Sequence, residues 1–502
     1  MGWEIDWIGN RARLTPDRVA IIDADQNRSF TYENINERAQ AVAAWLISNG
    51  VQKGDRIALL SPNHIAYLDL LFACTKVGAI FVPLNWRLSS EEINTILQDC
   101  EPTLIGYHTK FCNTVGSLEV EKKKLFTVNT SDFEEMIEQK GKWTEAVQVC
   151  EEDASMIIYT GGTTGKPKGV VLAHRSIMCN AINTVLSWNL MDSDCALTSM
   201  PLFHTGGLNI LSIPLLHIGG KVVITEVFDP VKSIEYINQY RCTIIIFVPT
   251  MYHMLFQTEE FQKSTFPSMR LFLSGGAPCP LEVYDMFAHK GIAFKEGYGL
   301  TEAGPNNFYI DPQVANVKRG SVGKPMLLNT IKLLTEDGRQ AGAHEVGEIV
   351  IKGKHVFSGY WNNKEATEEV LKEGWLYTGD LGKKDESGFF YIVGRKKDMI
   401  ITGGENVFPL EVEHWLESHP AISEAAVIGL PDDKWGEVVI AFVVSNGLPV
   451  QQAELKSFCE TKLGRYKIPR HFMFVEELPK THVGKIDKKR LKELGLQTLE
   501  AN

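Results

Sequence analysis

The feature that most constrains the fold is a repeated alternation of short β-branched runs with longer amphipathic stretches. A helical pattern from Glu33 to Asn49 precedes an apolar run at 56–60, and a second helical pattern from His64 to Val77 precedes another at 79–83. Similar apolar runs follow at 103–107, 125–128, 222–224 and 243–248. Runs of this length suit buried strands, and their alternation with helices is typical of an α/β sheet.

After about residue 326 the pattern changes to short strands separated by glycine-containing turns, which is typical of a small β-barrel or meander. A charged stretch from Arg395 to Asp398 separates this region from a compact α+β pattern. The predicted fold class is α/β, with a large N-terminal domain of α/β sheet subdomains plus a small β-barrel, followed by a smaller α+β C-terminal domain. The predicted domains are 1–394, with the barrel at 326–394, a hinge at 395–398, and a mobile domain at 399–502.

Composition narrows the class of protein. A chain of 502 residues is too long for one core, and three or four structural units are expected. A net charge of −11 disfavours non-specific nucleic-acid binding, and nine scattered cysteines without a C-x-x-C pair indicate free thiols in a reducing compartment. The acidic N-terminus does not resemble a signal peptide, and the apolar region from Tyr67 to Pro83 is broken by Asp69 and Lys76. We therefore expect a cytoplasmic protein with no transmembrane segment.

One glycine-rich stretch has the composition of an anion site. Between Thr160 and Lys168 the chain carries three glycines, three threonines and two lysines, after one apolar run and before another. Glycines let successive backbone N–H groups converge on an anion, and the lysines add positive charge. The stretch is not a Walker A loop, because Thr160 stands where the first glycine should be and Pro167 replaces the metal-binding hydroxyl. A mobile surface turn is the alternative reading.

Four further clusters combine glycines with reactive polar groups, at 201–208, 273–278, 296–303 and 375–382. The third places an aromatic ring, a hydroxyl and a carboxylate within five residues, a set that could stack a base, contact a phosphate and hold Mg²⁺. In the fourth, Asp380 could accept hydrogen bonds from a ribose diol. Taken alone, the first cluster could be a loop with one satisfied histidine, the second a strand-end turn, and the fourth a turn whose aspartate caps its own backbone, which is common.

Taken together, these motifs resemble those of the adenylate-forming (acyl-adenylate/AMP-binding) superfamily of acyl-CoA synthetases, adenylation domains and luciferases. The resemblance covers nearly the whole chain, and the motifs occur in the family's order. The overall sequence pattern is most similar to that of the bacterial fatty-acyl-CoA synthetases. Besides the phosphate loop, the matching motifs are Tyr298-Gly299-x-Thr301-Glu302, Thr378-Gly379-Asp380, Gly394-Arg395-x-x-Asp398, the run from Gly403 to Pro409, and the final Gly484-Lys485.

The resemblance implies roles for individual residues. Lys485 would bridge the carboxylate and the α-phosphate, Thr301 would contact the α-phosphate, and His204 would be the aromatic gate between the ATP site and the acyl pocket. The β- and γ-phosphates would be held by Thr160, Gly161, Gly162, Thr163, Thr164, Gly165, Lys166 and Lys168. The adenine would be lined by Gly275, Gly276, Ala277, Tyr298 and Gly299, the ribose would be bound by Asp380 and Arg395, and Glu302 would ligate Mg²⁺. Lys397 would be the hinge residue, and Gly403 and Gly404 would line the pantetheine tunnel.

The implied reaction is an ATP-dependent acyl-CoA synthetase reaction: a carboxylic acid is adenylated with release of pyrophosphate, and the acyl group then passes to CoA. ATP, Mg²⁺ and coenzyme A are the expected cofactor and co-substrates. The expected acyl-pocket segments, 204–209, 250–252, 274–277 and 297–304, are small or apolar and contain no lysine or arginine, which favours an apolar tail. The predicted substrate is a medium- or long-chain fatty acid.

Several alternatives stay open at this point. The chain could be an aryl-acid or o-succinylbenzoate CoA ligase, a stand-alone adenylation domain that loads a carrier protein, or a binding-only relic. By composition alone, Lys485 could be a solvated lysine in a basic tail. A homodimer is left open. The usual family residue at position 161 is serine, so Gly161 predicts weaker ATP binding, and the middle of the run from Thr481 to Lys485 also departs from the family pattern.

Overall fold

The structure is a computed structural model that describes residues 5–139, 147–161, 167–277, 279–432, 434–481 and 485–500. The chain divides into two compact units. The first comprises Met1–Cys279, Val283–Ile331 and Ile351–Leu376, and the second comprises Pro280–Glu282, Lys332–Val350 and Tyr377–Asn502. The predicted limits of the barrel, the hinge and the C-terminal domain stay predictions.

The largest sheet of the first unit carries the glycine-rich stretch. Its strands lie in the order Gly359–Tyr360, Lys168–Ala173, Ala154–Thr160, Ile80–Leu84, Arg56–Leu60, Leu104–Tyr107 and Leu125–Thr127. The last five run parallel to one another, while the two at the other edge are antiparallel to their neighbours. The central strands are buried on both faces, which explains their near-continuous apolar sequence.

Two smaller sheets complete the α/β part of the first unit. One has the order Arg28–Thr31, Val19–Asp23, Lys221–Ile224 and Cys195–Thr198, and is parallel except for its first pair. The other is a parallel sheet of Ile244–Phe247, Leu271–Ser274 and Phe294–Glu296. A further antiparallel pair is formed by Phe308–Tyr309 and Ser321–Pro325.

Helices alternate with these strands. Before residue 377 they are Trp7–Leu14, Tyr32–Ser48, Ala66–Val77, Ser90–Cys100, Cys112–Gly116, Ser131–Gln139, His174–Trp188, Thr205–Gly207, Ile213–Ile218, Pro230–Gln239, Pro249–Phe256, Glu259–Lys263, Leu281–His289, Pro312–Ala315 and Lys364–Val370. The helix Tyr32–Ser48 begins one residue before the predicted start, because Thr31 and Asn34 form a reciprocal capping box. The helix Ala66–Val77 is buried along its whole length, which accounts for the long apolar region noted in the sequence.

The second unit is mainly antiparallel before its C-terminal part. The strands Phe390–Arg395, Trp375–Lys384, Gly347–Lys352 and Thr330–Leu334 lie side by side in that order. A C-terminal sheet follows, with the order Glu405–Val407, Ile400–Thr402, Gly436–Ser445 and Ile422–Asp432, and with His471–Phe474 beside Gly436–Ser445. Its helices are Pro409–Glu417, Gln452–Glu460 and Lys488–Glu500.

Both faces of the C-terminal sheet are covered. On one face Val427 and Ala441 pack with Leu416 and Leu455 from two helices. On the other face Ile428 and the neighbouring apolar side chains pack against Leu491 of the last helix. Alternating residues of one strand thus serve two small cores, as the two-residue period of a strand requires.

The predicted fold class is confirmed: the chain is α/β, with a large N-terminal part and a smaller α+β C-terminal part. Among the described residues, no helix is long and apolar enough to cross a bilayer. All nine cysteines lie in the described part of the chain and are free thiols, and seven of them are buried, as the sequence predicted.

Candidate functional site

The glycine-rich stretch connects two antiparallel strands. Ala154–Thr160 pairs with Lys168–Ala173, and Thr160 lies directly opposite Lys168. The pair forms because Met156, Ile157 and Ile158 are buried in the large sheet. The loop therefore leads into a strand rather than a helix, which agrees with the exclusion of a Walker A motif. The predicted contacts of Gly162, Thr163, Thr164, Gly165 and Lys166 lie outside the described residues, and they stay predictions.

Glu302 is held by contacts from a distant part of the sequence. It lies in the 3₁₀ turn Thr301–Ala303, in which Thr301 is buried. The Tyr360 hydroxyl donates to Oε1 of Glu302 at 2.9 Å, and the Phe357 backbone N–H donates to the Glu302 carbonyl at 2.8 Å. Both the side chain and the backbone of Glu302 are therefore oriented by residues 357–360.

The same distant segment contacts the strand that follows the predicted phosphate loop. Gly359–Tyr360 pairs antiparallel with the Val170–Val171 part of that strand. The Nζ atom of Lys168 lies 5.0 Å from the centroid of the Tyr360 ring. The fold thus brings Lys168 and Glu302, which are far apart in sequence, to the same tyrosine.

The residues predicted to line the adenine lie at the carboxyl ends of two paired parallel strands. Leu271–Ser274 and Phe294–Glu296 run side by side, and the Gly297 backbone N–H donates to the Ser274 carbonyl at 2.8 Å. Gly275, Gly276 and Ala277 follow the first strand, and Tyr298 and Gly299 follow the second. Ligands of open α/β sheets bind at such strand ends. The structure therefore brings these five predicted residues to one edge.

A buried polar network supports the segment from Tyr298 to Gly304. The Asn307 backbone N–H donates to the Tyr298 carbonyl at 3.2 Å, and its side chain donates to the Gly304 carbonyl at 2.9 Å. His355 Nε2 lies 3.0 Å from Asn307 Oδ1, and burial lowers the pKa of His355 to about 4. A neutral imidazole can donate to that amide oxygen, so the segment is fixed without introducing a charge.

Gly299 is required by close packing. An added Cβ at this position would lie 2.0 Å from the Pro305 carbonyl oxygen, whereas one at Gly297 would have its nearest contact at 3.9 Å. No side chain fits at 299 without moving the backbone that carries Thr301 and Glu302.

Two neighbouring charges on the strand before this segment have unusual environments. Burial raises the pKa of Glu296 to about 7, although the Tyr284 hydroxyl donates to its carboxylate at 2.7 Å. Burial lowers the pKa of the adjacent Lys295 well below its ordinary value. The Lys295 Nζ lies 4.1 Å from the Trp188 ring centroid and 4.4 Å from that of Tyr309, so two aromatic faces surround it.

His204 begins a short helical turn in the first unit. Its Nδ1 accepts from the Gly206 backbone N–H at 3.1 Å. The loop that precedes it is held by Asn63, whose side chain donates to the Met200 carbonyl at 3.0 Å and accepts from the Leu202 N–H at 2.8 Å. The nitrogen and the oxygen of the Asn63 side-chain amide therefore both fix the position of the loop. The predicted gating role of His204 stays a prediction.

In the second unit the two residues predicted to bind the ribose form an ion pair. Asp380 and Arg395 are directly opposite in adjacent antiparallel strands, and Arg395 Nε donates to Asp380 Oδ1 at 2.9 Å. Asp380 is 5% exposed, and its backbone N–H donates to the Thr378 hydroxyl at 3.0 Å. This pairing orients the carboxylate and limits its motion.

Of the remaining predicted residues of the second unit, Lys397, Gly403 and Gly404 lie on turns. Lys397 is in the 3₁₀ turn Lys396–Asp398, and Gly403 and Gly404 form the turn between two strands with φ angles of +60° and +85°. Lys485 is exposed, and its backbone N–H donates to the Thr481 hydroxyl at 3.3 Å.

The described residues fit a metal that is shared with phosphates. They contain no group of three or more His, Cys, Asp or Glu side chains arranged to hold a metal ion. Mg²⁺ is commonly bound through one or two carboxylates together with substrate phosphates. A single oriented carboxylate, Glu302, whose partner Tyr360 pairs with the strand after the predicted phosphate loop, meets that requirement.

Sequence reasoning missed Tyr360, Asn307 and Asn63, each of which contacts a predicted site segment. The aromatic pair Tyr360-Trp361 between a glycine and two asparagines was the one local signal in the sequence. Asn307 and Asn63 carry no signal of their own, because a buried asparagine can be recognised only from the backbone groups that it contacts.

Two family models match the chain. The AMP-binding enzyme model matches residues 9–361, and the model of the AMP-binding enzyme C-terminal domain matches residues 411–485.

Curated relatives match almost the full length. The feruloyl-CoA synthase of an Amycolatopsis species is 37% identical over 481 residues, covering 96% of both chains. The indoleacetate–CoA ligase of Aromatoleum aromaticum is 34% identical over 504 residues, covering 97% of both. The 2-succinylbenzoate–CoA ligase of Bacillus cereus is 36% identical over 490 residues, covering 97% of this chain and 98% of the other.

Solved structures share the fold. The o-succinylbenzoate CoA synthetase of Bacillus subtilis in complex with its acyl-adenylate intermediate has a TM-score of 0.87 and 32% identity, covering 97% of this chain and 98% of the other. The same protein has been solved with ATP and a magnesium ion, with a TM-score of 0.86, 32% identity and coverage of 97% and 99%. A fatty acyl CoA synthetase of Mycobacterium tuberculosis has a TM-score of 0.80 and 32% identity, covering 98% of both chains.

Proposed function

Because the chain belongs to the AMP-binding enzyme family, we propose that it is a CoA ligase for an aromatic monocarboxylic acid. The chain is an acid–thiol ligase that activates its acid as an acyl adenylate, with ATP, Mg²⁺ and CoA. The identity of the acid is the part that is proposed.

One observation supports the proposal that the substrate is an aromatic acid. Relatives named for ferulate, indoleacetate and 2-succinylbenzoate match at least 96% of this chain at 34–37% identity, and all three acids are aromatic. The aryl-acid alternative left open by the sequence therefore becomes the preferred substrate class.

The charge of the expected acyl-pocket segments favours one carboxylate over two. The segments 204–209, 250–252, 274–277 and 297–304 contain no lysine or arginine. A second carboxylate, such as that of 2-succinylbenzoate, would be buried there without a cation, which is costly. Ferulate and indoleacetate, with one carboxylate each, fit this composition better.

Unsatisfied polar atoms support a substrate that carries a hydroxyl or another polar ring substituent. Asn209 Oδ1 and Ser274 Oγ, both in the expected pocket segments, are buried without a hydrogen-bond partner among the described residues, and so is Asn180 Oδ1. A Cβ built on Gly304 would lie 3.1 Å from that Asn180 oxygen. Buried polar atoms usually have partners, and a phenolic hydroxyl could supply a donor that a fatty acid tail lacks.

The requirements of the adenylation step follow from the charges of the acid and of ATP. The acid is already ionised at neutral pH, so adenylation needs no general base, and the difficulty is to bring two anions together while pyrophosphate leaves. Thr160 and Lys168 would bind the phosphates, and Glu302 would hold the Mg²⁺. Bound Mg²⁺ supplies positive charge that neutralises the phosphate oxygens. Tyr298 and the glycines at the strand ends would place the adenine, so the rate comes from positioning.

Two residues of the second unit complete the proposed roles. The Asp380 carboxylate, oriented by Arg395, would accept hydrogen bonds from the ribose. Lys485 would bring positive charge to the carboxylate and α-phosphate during adenylation. Thioester formation then requires that Lys485 leave that position, with Lys397 as the proposed hinge and the Gly403-Gly404 turn as the proposed wall of the thiol tunnel.

The test is a panel of acids scored by thioester formation with ATP, Mg²⁺ and CoA. We expect kcat/KM for ferulate or indoleacetate to exceed that for any C8 to C16 fatty acid by about tenfold or more, since differences of 1–3 kcal/mol in a pocket give factors of this size. A preference for a fatty acid would overturn the proposal, and the Mycobacterium tuberculosis neighbour makes that the main competing result.

The acyl acceptor is tested in the same assay. We expect acyl adenylate to accumulate when CoA is omitted and to be consumed when CoA is added. If free CoA leaves the adenylate untouched while a carrier protein consumes it, the chain is a stand-alone adenylation domain instead.

A further inference from the structure

The segment Phe357–Trp361 links two parts of the candidate nucleotide site. On one side, the Ser358 and Trp361 backbone N–H groups donate to the carbonyls of Val171 and Gly169 at 2.9 and 2.7 Å. On the other side, the Phe357 N–H donates to the Glu302 carbonyl at 2.8 Å. The segment is therefore bonded both to the strand that leaves the phosphate loop and to the turn that carries the metal-binding candidate.

Tyr360 repeats this link through its side chain. Its hydroxyl donates to Glu302 Oε1 at 2.9 Å, and the Lys168 Nζ lies 5.0 Å from the centroid of its ring. The two functions use different parts of the side chain, because the hydroxyl serves the carboxylate and the ring face attracts the ammonium. The contacts of Tyr360 can therefore be separated by substitution.

We propose that Tyr360 is a positioning residue for adenylation: its hydroxyl orients the Glu302 carboxylate for Mg²⁺ and its ring holds Lys168 toward the phosphates. This inference rests on the proposed function of the same site. It adds a residue that reaches the metal and the phosphates only through other side chains.

The physical reason lies in the freedom of the two charged side chains. A glutamate and a lysine each have several rotatable bonds, and holding them in one geometry costs conformational entropy when the ligand binds. A hydrogen bond to one carboxylate oxygen fixes the plane of the carboxylate and directs a metal to the other oxygen, as hydrogen bonds to ligand side chains do in metal sites. An aromatic face in contact with the ammonium similarly restricts Lys168.

The test uses two variants that separate the contribution of the Tyr360 hydroxyl from that of its ring. Tyr360→Phe removes the hydroxyl and keeps the ring, whereas Tyr360→Leu removes both. The first readout is binding of Mn²⁺ to the full-length enzyme with a non-hydrolysable ATP analogue, measured by electron paramagnetic resonance. The second is pyrophosphate exchange, measured as a function of Mg²⁺ and of pyrophosphate concentration.

We expect Tyr360→Phe to weaken Mn²⁺ binding and to raise the Mg²⁺ concentration for half-maximal exchange by about fivefold, with an unchanged KM for pyrophosphate. Tyr360→Leu is expected to show the same loss and also to raise the KM for pyrophosphate several-fold, because Lys168 loses the ring.

Two controls separate positioning from stability. Tyr236→Phe removes a tyrosine hydroxyl that donates to a different carboxylate, Asp25, at 3.2 Å, and should leave Mn²⁺ binding unchanged. Thr367→Val removes the hydroxyl that accepts from the Tyr360 backbone N–H at 2.9 Å, so it perturbs the strand but keeps the phenol. We expect Thr367→Val to lower the melting temperature more than Tyr360→Phe and to change Mn²⁺ binding less.

Unchanged Mn²⁺ binding in Tyr360→Phe, or an equal loss in Thr367→Val, would overturn the inference. Failure of the proposed function is distinguishable, because it would appear as a wild-type enzyme that makes no thioester from any aromatic acid. Mn²⁺ binding with the ATP analogue does not depend on the acid, so the role of Tyr360 is tested in either case.

Discussion

The Glu302 region and the Lys485 region place two predicted site residues in opposite kinds of surroundings. Glu302 follows a threonine that is 4% exposed, and its side chain and backbone are bonded to residues more than fifty positions away. Lys485 is exposed, and its backbone exchanges hydrogen bonds with Thr481, four residues earlier. A group proposed to hold Mg²⁺ in a fixed position gains from tertiary support, whereas a group proposed to leave after adenylation is better placed at an exposed position with local hydrogen bonds.

The substitution with the largest expected effect on this comparison removes the exposed cation of Lys485. Lys485→Ala should lower the rate of adenylation by about 10²- to 10³-fold, since a charge that acts in the transition state is lost. Thioester formation from supplied acyl adenylate should stay near the wild-type rate. Lys489→Ala, another exposed lysine of the same tail, is the matched control and should change neither step. Equal loss of both steps in Lys485→Ala would contradict a role confined to adenylation.

The residue with tertiary support, Glu302, is tested by Glu302→Gln. The amide oxygen can still accept from Tyr360, so the fold should keep its melting temperature, but the negative charge for the metal is gone. We expect adenylation to fall by about 10²-fold and to respond more weakly to Mg²⁺ in a pyrophosphate-exchange assay. Asp25→Asn, at another carboxylate that accepts from a tyrosine, controls for loss of such a charge elsewhere. An unaltered Mg²⁺ response would remove Glu302 from the metal site.

The pH dependence of folding measures how firmly the strand before Glu302 is buried. The folded state raises the pKa of Glu296 from its ordinary 4.5 to about 7 by burial, so folding favours the protonated carboxyl, and its contribution to stability is lost as pH rises from 4.5 through 7. Glu296→Gln should therefore be more stable than the wild type at pH 8.5, by on the order of 2–3 kcal/mol, with little difference at pH 4.5. Urea unfolding at both pH values tests this, with the exposed Glu235→Gln as control. A constant difference at both pH values would contradict the raised pKa.

Backbone packing behind the predicted adenine segment is tested by two glycine substitutions. Gly299→Ala forces a Cβ against the Pro305 carbonyl, whereas Gly297→Ala meets its nearest neighbour at 3.9 Å. We expect Gly299→Ala to raise the KM for ATP by about tenfold, because a 1 Å displacement of binding groups can cost up to about 10²-fold and part of the shift can relax, and Gly297→Ala to have a clearly smaller effect. Equal values for the two variants would show that the close approach is unimportant.

The smallest expected effect concerns Gly161, where the family usually has serine. No described atom lies within 4 Å of a Cβ built on Gly161, so the described residues leave space for a side chain there. Gly161→Ser should lower the KM for ATP by about two- to threefold through one additional hydroxyl donor. Steady-state kinetics check this, with Gly161→Ala as the control that adds the Cβ without the hydroxyl. An equal gain in both variants would assign the effect to backbone restriction.

Much of the fold was predictable because the apolar runs and helical patterns of the sequence correspond to the segments that are buried in the structure. The runs at 103–107, 125–128, 222–224 and 243–248 became strands, and the predicted helices at 33–49 and 64–77 formed as Tyr32–Ser48 and Ala66–Val77. The helix boundaries moved by one or two residues, since capping at Thr31 and the chain geometry near His64 decide them rather than apolar spacing.

The candidate site was predictable only where chemistry lies within a short motif. The pairing of Asp380 with Arg395 could not be read from the sequence, because it depends on the register of two strands. Tyr360 was missed for a similar reason: its partners, Lys168 and Glu302, are about 190 and 58 residues away.

By itself the sequence determined the α/β class, the family motifs and the kinds of chemical group available, because these depend on residue type and spacing along the chain. Only the tertiary structure decided which groups support one another: Tyr360 with Glu302 and Lys168, Asn307 with the adenine segment, and Asn63 with the loop before His204. Such contacts depend on how strands pair and pack. The distant partner of a side chain therefore cannot be predicted from its residue type or from its sequence neighbours.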